Sequence, residues 1–415
     1  MDLGITERLE PLLHSVKTFI EQEIVPLEAE YWTEVDTGSR WEFTARQTEI
    51  LESLKSKARE QGLWNFFLTG EHGYGLTTVE YAYLAEEMGK TPLGAEVFNC
   101  AAPDTGNMEV LHKYGTEAQK AQWLEPLLNG EIRSAYAMTE PGVASSDATN
   151  ISTNAVLDGD EWVINGEKHW ISGAGDPRCK IMIVMVKTSP NAPTHQQQSQ
   201  ILVPTSTPGV EMLRPMTVFG EDDAPHGHMH LRFNNVRVPK DNIILGEGRG
   251  FEISQGRLGP GRIHHCMRAL GAAEKALQLL CERAVSRTAF GRPLAKLGGN
   301  VDIIANARMA IEMNRLLTLK TAWLMDNIDP KEARIWISMI KTTVPNAVLQ
   351  IVDDAIQMFG GLGVSQDTPL AGMYKGLRTL RLADGPDAVH RMVVGRHELR
   401  KYMQADAPNA TFRDG

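Results

Sequence analysis

The chain has 415 residues, 42% hydrophobic and 23% charged, with a formal net charge of −10 at pH 7. That composition supports a large buried core divided over two to three domains. The acidic balance argues against nucleic acid or an anionic membrane as main partner, because either needs a concentrated basic face.

The opening MDLGITERLEPLL is charged throughout and lacks an apolar core segment, and no run reaches the length of a membrane span. The expected location is cytoplasmic, with an organelle matrix as the alternative. Over residues 1–133 the apolar positions fall at helical spacing, as in Leu9, Leu12, Leu13, Val16, Ile20 and Ile24. Ala118, Ala121, Leu124, Leu127 and Leu128 repeat the pattern, and Thr116 with Gln119 predicts a capping box at the start of that helix.

Over 134–246 the texture changes to short β-rich runs, AVL, EWVI, KIMIVMV, ILV and LRFNNVRV, with Asp158-Gly159 and Asn165-Gly166 as turn dipeptides. This predicts a central β-domain of antiparallel hairpins. Long helical patterns return over 247–403, at 262–283, 303–325 and 331–358, the last with a candidate kink at Pro345. The fold class is therefore mixed α and β: an N-terminal all-α domain, a β-domain, and a C-terminal domain like a four-helix bundle. Residues 404–415 look like a flexible tail. Cys100, Cys179, Cys266 and Cys281 have no CxxC spacing and predict buried thiols in a reducing compartment rather than disulfides.

The chain has neither a P-loop nor a GxGxxG between strand and helix; GEGRG at 246–250 has the wrong spacing and is expected to end the β-domain. A nucleotide cofactor must be held another way. Three segments offer one: YAMTEPGVASSD at 136–147, KHWISG at 168–173, and SRTAFGRPL at 286–294 followed by QMFGGLG at 357–363. Singly, these are a turn after a strand, a strand end and a helix stop. Jointly, and in this order, they resemble the acyl-CoA dehydrogenase family over essentially the whole chain.

The resemblance implies FAD, with Tyr136, Met138, Thr139 and Ser145 around the flavin ring and pyrophosphate, Trp170 stacked near the ring and Ser172 bonded to it. It also implies that Arg287, Phe290, Gln357, Gly360 and Gly361 complete the cofactor site of a neighbouring subunit, and hence a homodimer or homotetramer. Ser146 and Gly385 are implied to contact the substrate, and electron-transferring flavoprotein is the implied acceptor. The chemistry is sensible, since glycine allows close backbone approach to a pyrophosphate and arginine is a fixed fork for phosphate.

Asp384, in RLADGPDAVHR, is either a helix cap or a base. Pro386 fits a first helical position, with Val389, Met392 and Val393 as the apolar face that follows. In the register set by QMFGGLG, however, Asp384 falls where many family members carry a catalytic glutamate, which favours the base. Aspartate is shorter by about 1.5 Å, which backbone position or substrate depth must make up. Arg262, in PGRIHH, matches the family arginine near that carboxylate; a helix-surface charge is its plain alternative. His264 and His265 are expected to be helix packing and surface.

Asp384-Gly-Pro-Asp and DDAPHGH at 222–228 resemble the subgroup whose animal members fuse this module to a kinase-like domain, which implies long or branched acyl-CoA thioesters. Three departures from the family pattern are present: a loop one residue longer at 143–146, Pro386 and Ala388 in place of residues that often bond the flavin, and Gly298 in place of a polar contact. In HGHMH, His226, His228 and His230 would share one strand face, as a metal site requires. Solvent-facing or loop-ordering histidines are the favoured reading, and no metal is expected.

The function expected is α,β-dehydrogenation of an acyl-CoA to the trans-2-enoyl-CoA, with Asp384 taking the α-proton and hydride passing to flavin N5. Two alternatives stay open. One is an oxidase of the same fold, including the nitroalkane type, whose base is also an aspartate. The other is a flavin-bearing binding protein without turnover, as in the DNA-associated branch, which the acidic balance disfavours.

Overall fold

The computed structural model describes residues 1–69, 73–328 and 330–403; the expected tail at 404–415 lies outside the described residues. The described residues of 5–261 form one compact unit, and residues 1–4 with the described residues of 262–403 form a second.

The first unit opens with helices α1 (Leu9–Phe19), α2 (Val25–Val35), α3 (Ala45–Glu60), α4 (Thr78–Met88), α5 (Gly94–Val97), α6 (Asp104–Tyr114), α7 (Glu117–Gln119) and α8 (Glu125–Leu128). Leu9, Leu13, Val16, Ile20 and Ile24 are buried at the spacing that the sequence displays. Thr116 Oγ1 accepts from the Gln119 amide, and the Gln119 side chain accepts from the Thr116 amide, so the predicted capping box is formed. Thr44 with Gln47 and Thr77 with Glu80 cap α3 and α4 in the same way.

Strands β1 (Arg133–Ala137), β2 (Asn154–Asp158), β3 (Glu161–Ser172), β4 (Cys179–Lys187), β5 (Gln198–Pro204), β6 (Val210–Pro215) and β7 (His228–Pro239) follow. They are ordered β1-β4-β2-β3-β7-β6, with β5 also on β4. The β2–β3, β3–β7, β4–β5 and β6–β7 pairs are antiparallel, but β1 runs parallel to β4, so the sheet is mixed rather than built of hairpins alone. β4 lies between β1 and β5 and is buried from Ile181 to Val186 on both faces, which is why its sequence is an unbroken apolar run rather than an alternation.

Asp158-Gly159 does turn the β2–β3 hairpin, whereas Asn165-Gly166 does not turn at all. It sits inside β3, where the register against β7 shifts. Gly166 has φ +147°, and a Cβ there would stand 2.5 Å from Thr153 Oγ1. The dipeptide marks a bulge under close packing, a role that glycine serves equally well.

The second unit contains most of α9 (Gly250–Ser286), which crosses the boundary between units. A small hairpin of β8 (Thr288–Ala289) and β9 (Arg292–Pro293) precedes α10 (Asn300–Asn327), α11 (Pro330–Phe359), α12 (Leu370–Thr379) and α13 (Asp387–Arg400). α11 is the axis of this unit: Ile337, Ile340, Val344, Val348, Ile351 and Ala355 are buried on it at three- and four-residue steps. α10, α12 and α13 pack around it. Glu274 of α9 receives Arg308 of α10 at 2.7 and 2.8 Å. One helical stretch, Glu332–Val364, is long and apolar enough to cross a membrane by length and composition, which corrects the reading that no run reaches that length. Its apolarity follows from its central place in the unit. Cys100, Cys179 and Cys266 are buried free thiols, while Cys281 is partly exposed.

Replacing Gly166 with alanine should destabilise the protein by about 1–3 kcal/mol through overpacking against Thr153. Gly159→Ala, where φ is +64° and nothing lies within 4 Å, carries only the left-handed backbone cost, about 1 kcal/mol. Denaturant unfolding of the two variants decides it; equal losses would mean that the bulge tolerates a side chain.

Candidate active site

Between α12 and α13 the main chain doubles back, with Asp384 at φ +55° and Gly385 at φ +102°. Asp384 is not a cap. The N-cap of α13 is Pro386, one position earlier than the residue numbering of a proline-led first turn would have it, and it makes no side-chain capping bond. The acid at the helix start is Asp387, whose Oδ2 accepts from Arg381 Nε at 2.8 Å and Asn346 Nδ2 at 3.0 Å. Against burial, which pushes it up, those two donors hold the Asp387 carboxyl below its usual range.

Donors from three helices fasten the turn by its carbonyl oxygens. Arg262 Nε of α9 donates to Asp384 O at 2.9 Å, and His390 Nε2 of α13 approaches the same oxygen at 3.3 Å. Lys341 of α11, fully buried, donates to Leu380 O and reaches Gly385 O at 3.5 Å. Arg262 is thus beside the predicted base, as expected, but it grips the main chain. A Cβ on Gly385 would stand 2.9 Å from His390 Nε2, so close packing as well as positive φ requires glycine there. Burial pulls the His390 ring down to about 4, so it is neutral at pH 7 and donates through Nε2.

The Asp384 carboxylate itself lies on a histidine, Oδ2 being 3.3 Å from His265 Nε2, with the two side chains 21% and 23% exposed. His265 is therefore not packing and surface, as the sequence reading had it. The signal was present in PGRIHHCMR at 260–268: Arg262, His265 and Arg268 stand three residues apart and share a helix face.

In the first unit, the YAMTEPGVASSD turn is built on a buried ion pair that sequence reasoning missed. Lys168 Nζ, fully buried, donates to Glu140 Oε1 at 2.8 Å and to Met138 O at 3.0 Å. Glu140 also accepts from the amides of Ser152 at 2.8 Å and Thr153 at 2.9 Å. Burial alone would raise the Glu140 carboxyl, but Lys168 and these donors hold it down at about 2. Ser145 Oγ accepts from the Glu140 amide at 2.8 Å, and Thr139 O accepts from the His169 amide at 2.9 Å. Ser146 stays exposed. Trp170 has φ +58° and is 39% exposed, and Ser172 Oγ is 2.8 Å from His228 Nδ1. Tyr136 turns its hydroxyl inward, 2.9 Å from both Ser254 Oγ and Gln200 Nε2.

In the second unit, Arg287, Gln357, Gly360 and Gly361 are exposed, and Phe290 is 95% exposed at the tip of the β8–β9 hairpin. Arg283 stacks over the Phe359 ring at 5.1 Å, which joins the end of α9 to the end of α11 and so brings these residues to one region. Nothing lies within 4 Å of a Cβ built on Gly360 or Gly361. These features fit a flavin dinucleotide. Within the first unit, the exposed indole of Trp170 and the hydroxyls of the turn at 136–147 suit a flat ring; within the second, the bare backbone of Gly360 and Gly361 and the exposed Arg287 suit a pyrophosphate.

The histidine run is divided. His226 lies in a turn before β7, not on the strand. His228 and His230 do share a strand face, but His230 Nε2 is 2.9 Å from Glu167 Oε2 and His228 is on Ser172. Among the described residues, no group of three or more His, Cys, Asp or Glu is arranged to hold a metal ion.

Residues 6–131, 135–236 and 248–399 match, in turn, the N-terminal, middle and C-terminal domains of acyl-CoA dehydrogenase. Over 402 residues the chain is 51% identical to the probable acyl-CoA dehydrogenase FadE2 of Mycobacterium tuberculosis, covering 97% of this chain and 98% of that protein. It is also 51% identical over 411 residues to mouse acyl-CoA dehydrogenase family member 10, covering 98% of this chain but 38% of that longer relative. A solved structure of a putative acyl-CoA dehydrogenase from Mycobacterium abscessus matches with a TM-score of 0.92 and 51% identity, over 96% of this chain and 100% of that one. Those matches span the helical segments, the sheet and the Asp384 turn alike, and the chain belongs to the acyl-CoA dehydrogenase family.

Proposed function

We propose that this chain is an FAD-dependent acyl-CoA dehydrogenase in which Asp384 removes the α-proton of the thioester. The observation that carries this reading is the Asp384 turn. Its main chain is held by donors from α9, α11 and α13, while its side chain meets His265 and is only 21% exposed. A carboxylate so placed has the two properties a base for a weakly acidic C–H needs, a fixed position and little water around it. Bound FAD supplies the acceptor for the hydride that leaves the β-carbon. Arg262 and Lys341 keep the carboxylate from withdrawing by anchoring the carbonyls on either side of it. On this reading the Glu140–Lys168 pair keeps the turn at 138–147 in shape for the cofactor, and electron-transferring flavoprotein takes the electrons onward.

The same reading makes the protein a homo-oligomer. A phenylalanine left 95% exposed on a hairpin tip, with Leu362 and Val364 exposed near the end of α11, suits burial against a second copy. Met309, Met313 and Leu316 add an exposed apolar row on α10 at four- and three-residue steps.

Two measurements check these claims. Asp384→Asn keeps shape but removes the proton acceptor, so anaerobic flavin reduction by acyl-CoA should slow by roughly 10²–10⁴-fold, with flavin content unchanged. Asp384→Glu should be impaired but active. A near-normal rate in the Asn variant would leave the base unassigned, and rapid reoxidation of the reduced wild-type protein by air would select the oxidase instead. For assembly, Arg287→Ala should lower flavin occupancy and, when FAD is limiting, the melting temperature, because ligand bound only to the folded assembly stabilises it by mass action. A fully flavinated monomer in sedimentation would contradict the oligomer.

A further inference from the structure

The Asp384 carboxylate has a partner whose hydrogen position can be argued from its two contacts. His265 lies between two groups, with Nε2 3.3 Å from Asp384 Oδ2 and Nδ1 3.4 Å from an Arg268 guanidinium nitrogen. A guanidinium can only donate, so Nδ1 must accept, and a neutral ring then carries its hydrogen on Nε2, aimed at the carboxylate.

The surroundings keep the ring in that form. Burial pushes the His265 imidazole below its usual value, Arg268 and Lys341 add positive charge on the same side of the balance, and Asp384 works against them. Arg262 on the same helix face and His390 from α13 meet the Asp384 carbonyl rather than its carboxylate. His264, adjacent in sequence, is buried and its ring is also pushed down by burial, so it adds no charge at neutral pH.

We propose that His265 is a positioning residue for the base: as a neutral Nε2–H donor oriented by Arg268, it fixes the carboxylate of Asp384 by holding Oδ2. This rests on the reading of Asp384 as the base. The physical need is specific to aspartate and to this turn. The carbonyl anchors fix the Asp384 backbone, but they leave the carboxylate plane able to rotate about its last bond. One directed donor removes that freedom and holds the plane in the orientation for proton removal. A neutral donor does so without setting a full positive charge against the carboxylate, which would weaken it as a base.

The test compares His265→Gln, whose amide keeps an N–H donor at a similar reach, with His265→Leu, which has none. In the flavin-loaded protein, anaerobic reduction by acyl-CoA should slow in the Leu variant by roughly 10–10²-fold. Substrate affinity should be little changed, and the acidic limb of the pH–rate profile should shift. The Gln variant should recover most of the rate and the wild-type profile. Adding His265→Leu to Asp384→Asn should have no further effect, since the group it positions is gone. A second readout needs no turnover: in ¹⁵N-imidazole-labelled wild-type protein, the resonance lost in His265→Gln should report a neutral ring protonated on Nε2 at pH 7.

A Leu variant that reduces flavin at the wild-type rate while Asp384→Asn is slow overturns the positioning role and leaves the base standing. An unaffected Asp384→Asn removes both. Should the Leu variant not fold, a charged or Nδ1-protonated His265 in the wild-type spectrum overturns the proposal by itself.

Discussion

The arrangement at the candidate active site depends on one constraint: a non-glycine residue held at positive φ by hydrogen bonds to its own and its neighbours' carbonyls. Asp384 at φ +55° sits in a region that costs an L-residue roughly 1–2 kcal/mol. Such a residue persists only where its surroundings over-determine it. Here Arg262, Lys341 and His390 do so, each from a different helix and each aimed at main-chain oxygen. The positive charge of the site is thereby spent on backbone, and the carboxylate meets a neutral imidazole. Arg262, Lys341 and His390 thus share the duty of holding the backbone, and His265 meets the carboxylate.

The first unit uses charge differently. Glu140 and Lys168 are both buried, and removing either would leave the other as an uncompensated charge in the interior. Their remaining bonding capacity goes to Met138 O and to the Ser152 and Thr153 amides, so the pair ties the turn at 138–147 to β3 and to the start of β2. A second buried network does the same where helices meet strand. Arg133 at the start of β1 binds Asp104 of α6 at 2.8 Å and Glu96 of α5 at 2.7 Å, and Arg178 reaches Glu96 at 2.6 Å. These ion pairs, most of them largely buried, tie the sheet to those helices.

Much of this was legible in the sequence wherever the pattern was periodic. The apolar steps of α1 and α11, the capping box at Thr116 and the continuous run of β4 each follow from a local rule, and the structure has them. What was not legible depended on partners distant in sequence. Asn165-Gly166 has the composition of a hairpin turn, and only the approach of Thr153 makes it a bulge. β1 belongs beside β4 in parallel, a pairing no local signal encodes. The site divides the same way. The candidate base was legible from its position after QMFGGLG, while the grip of Arg262 on a carbonyl, the burial of Lys341 and the contact of His265 with Asp384 needed three helices brought together. Only the three-residue spacing of Arg262, His265 and Arg268 hinted at the last.

The central claim is that a fixed carboxylate takes the α-proton as hydride leaves the β-carbon. The most direct test is the rate of anaerobic flavin bleaching in the wild-type protein with acyl-CoA deuterated at the α-carbon, at the β-carbon, or at neither. The account predicts that both labels slow bleaching, because both C–H bonds break in the step that reduces the flavin. Bleaching indifferent to the α-label, or obtained with nitroalkanes and not with acyl thioesters, would contradict it.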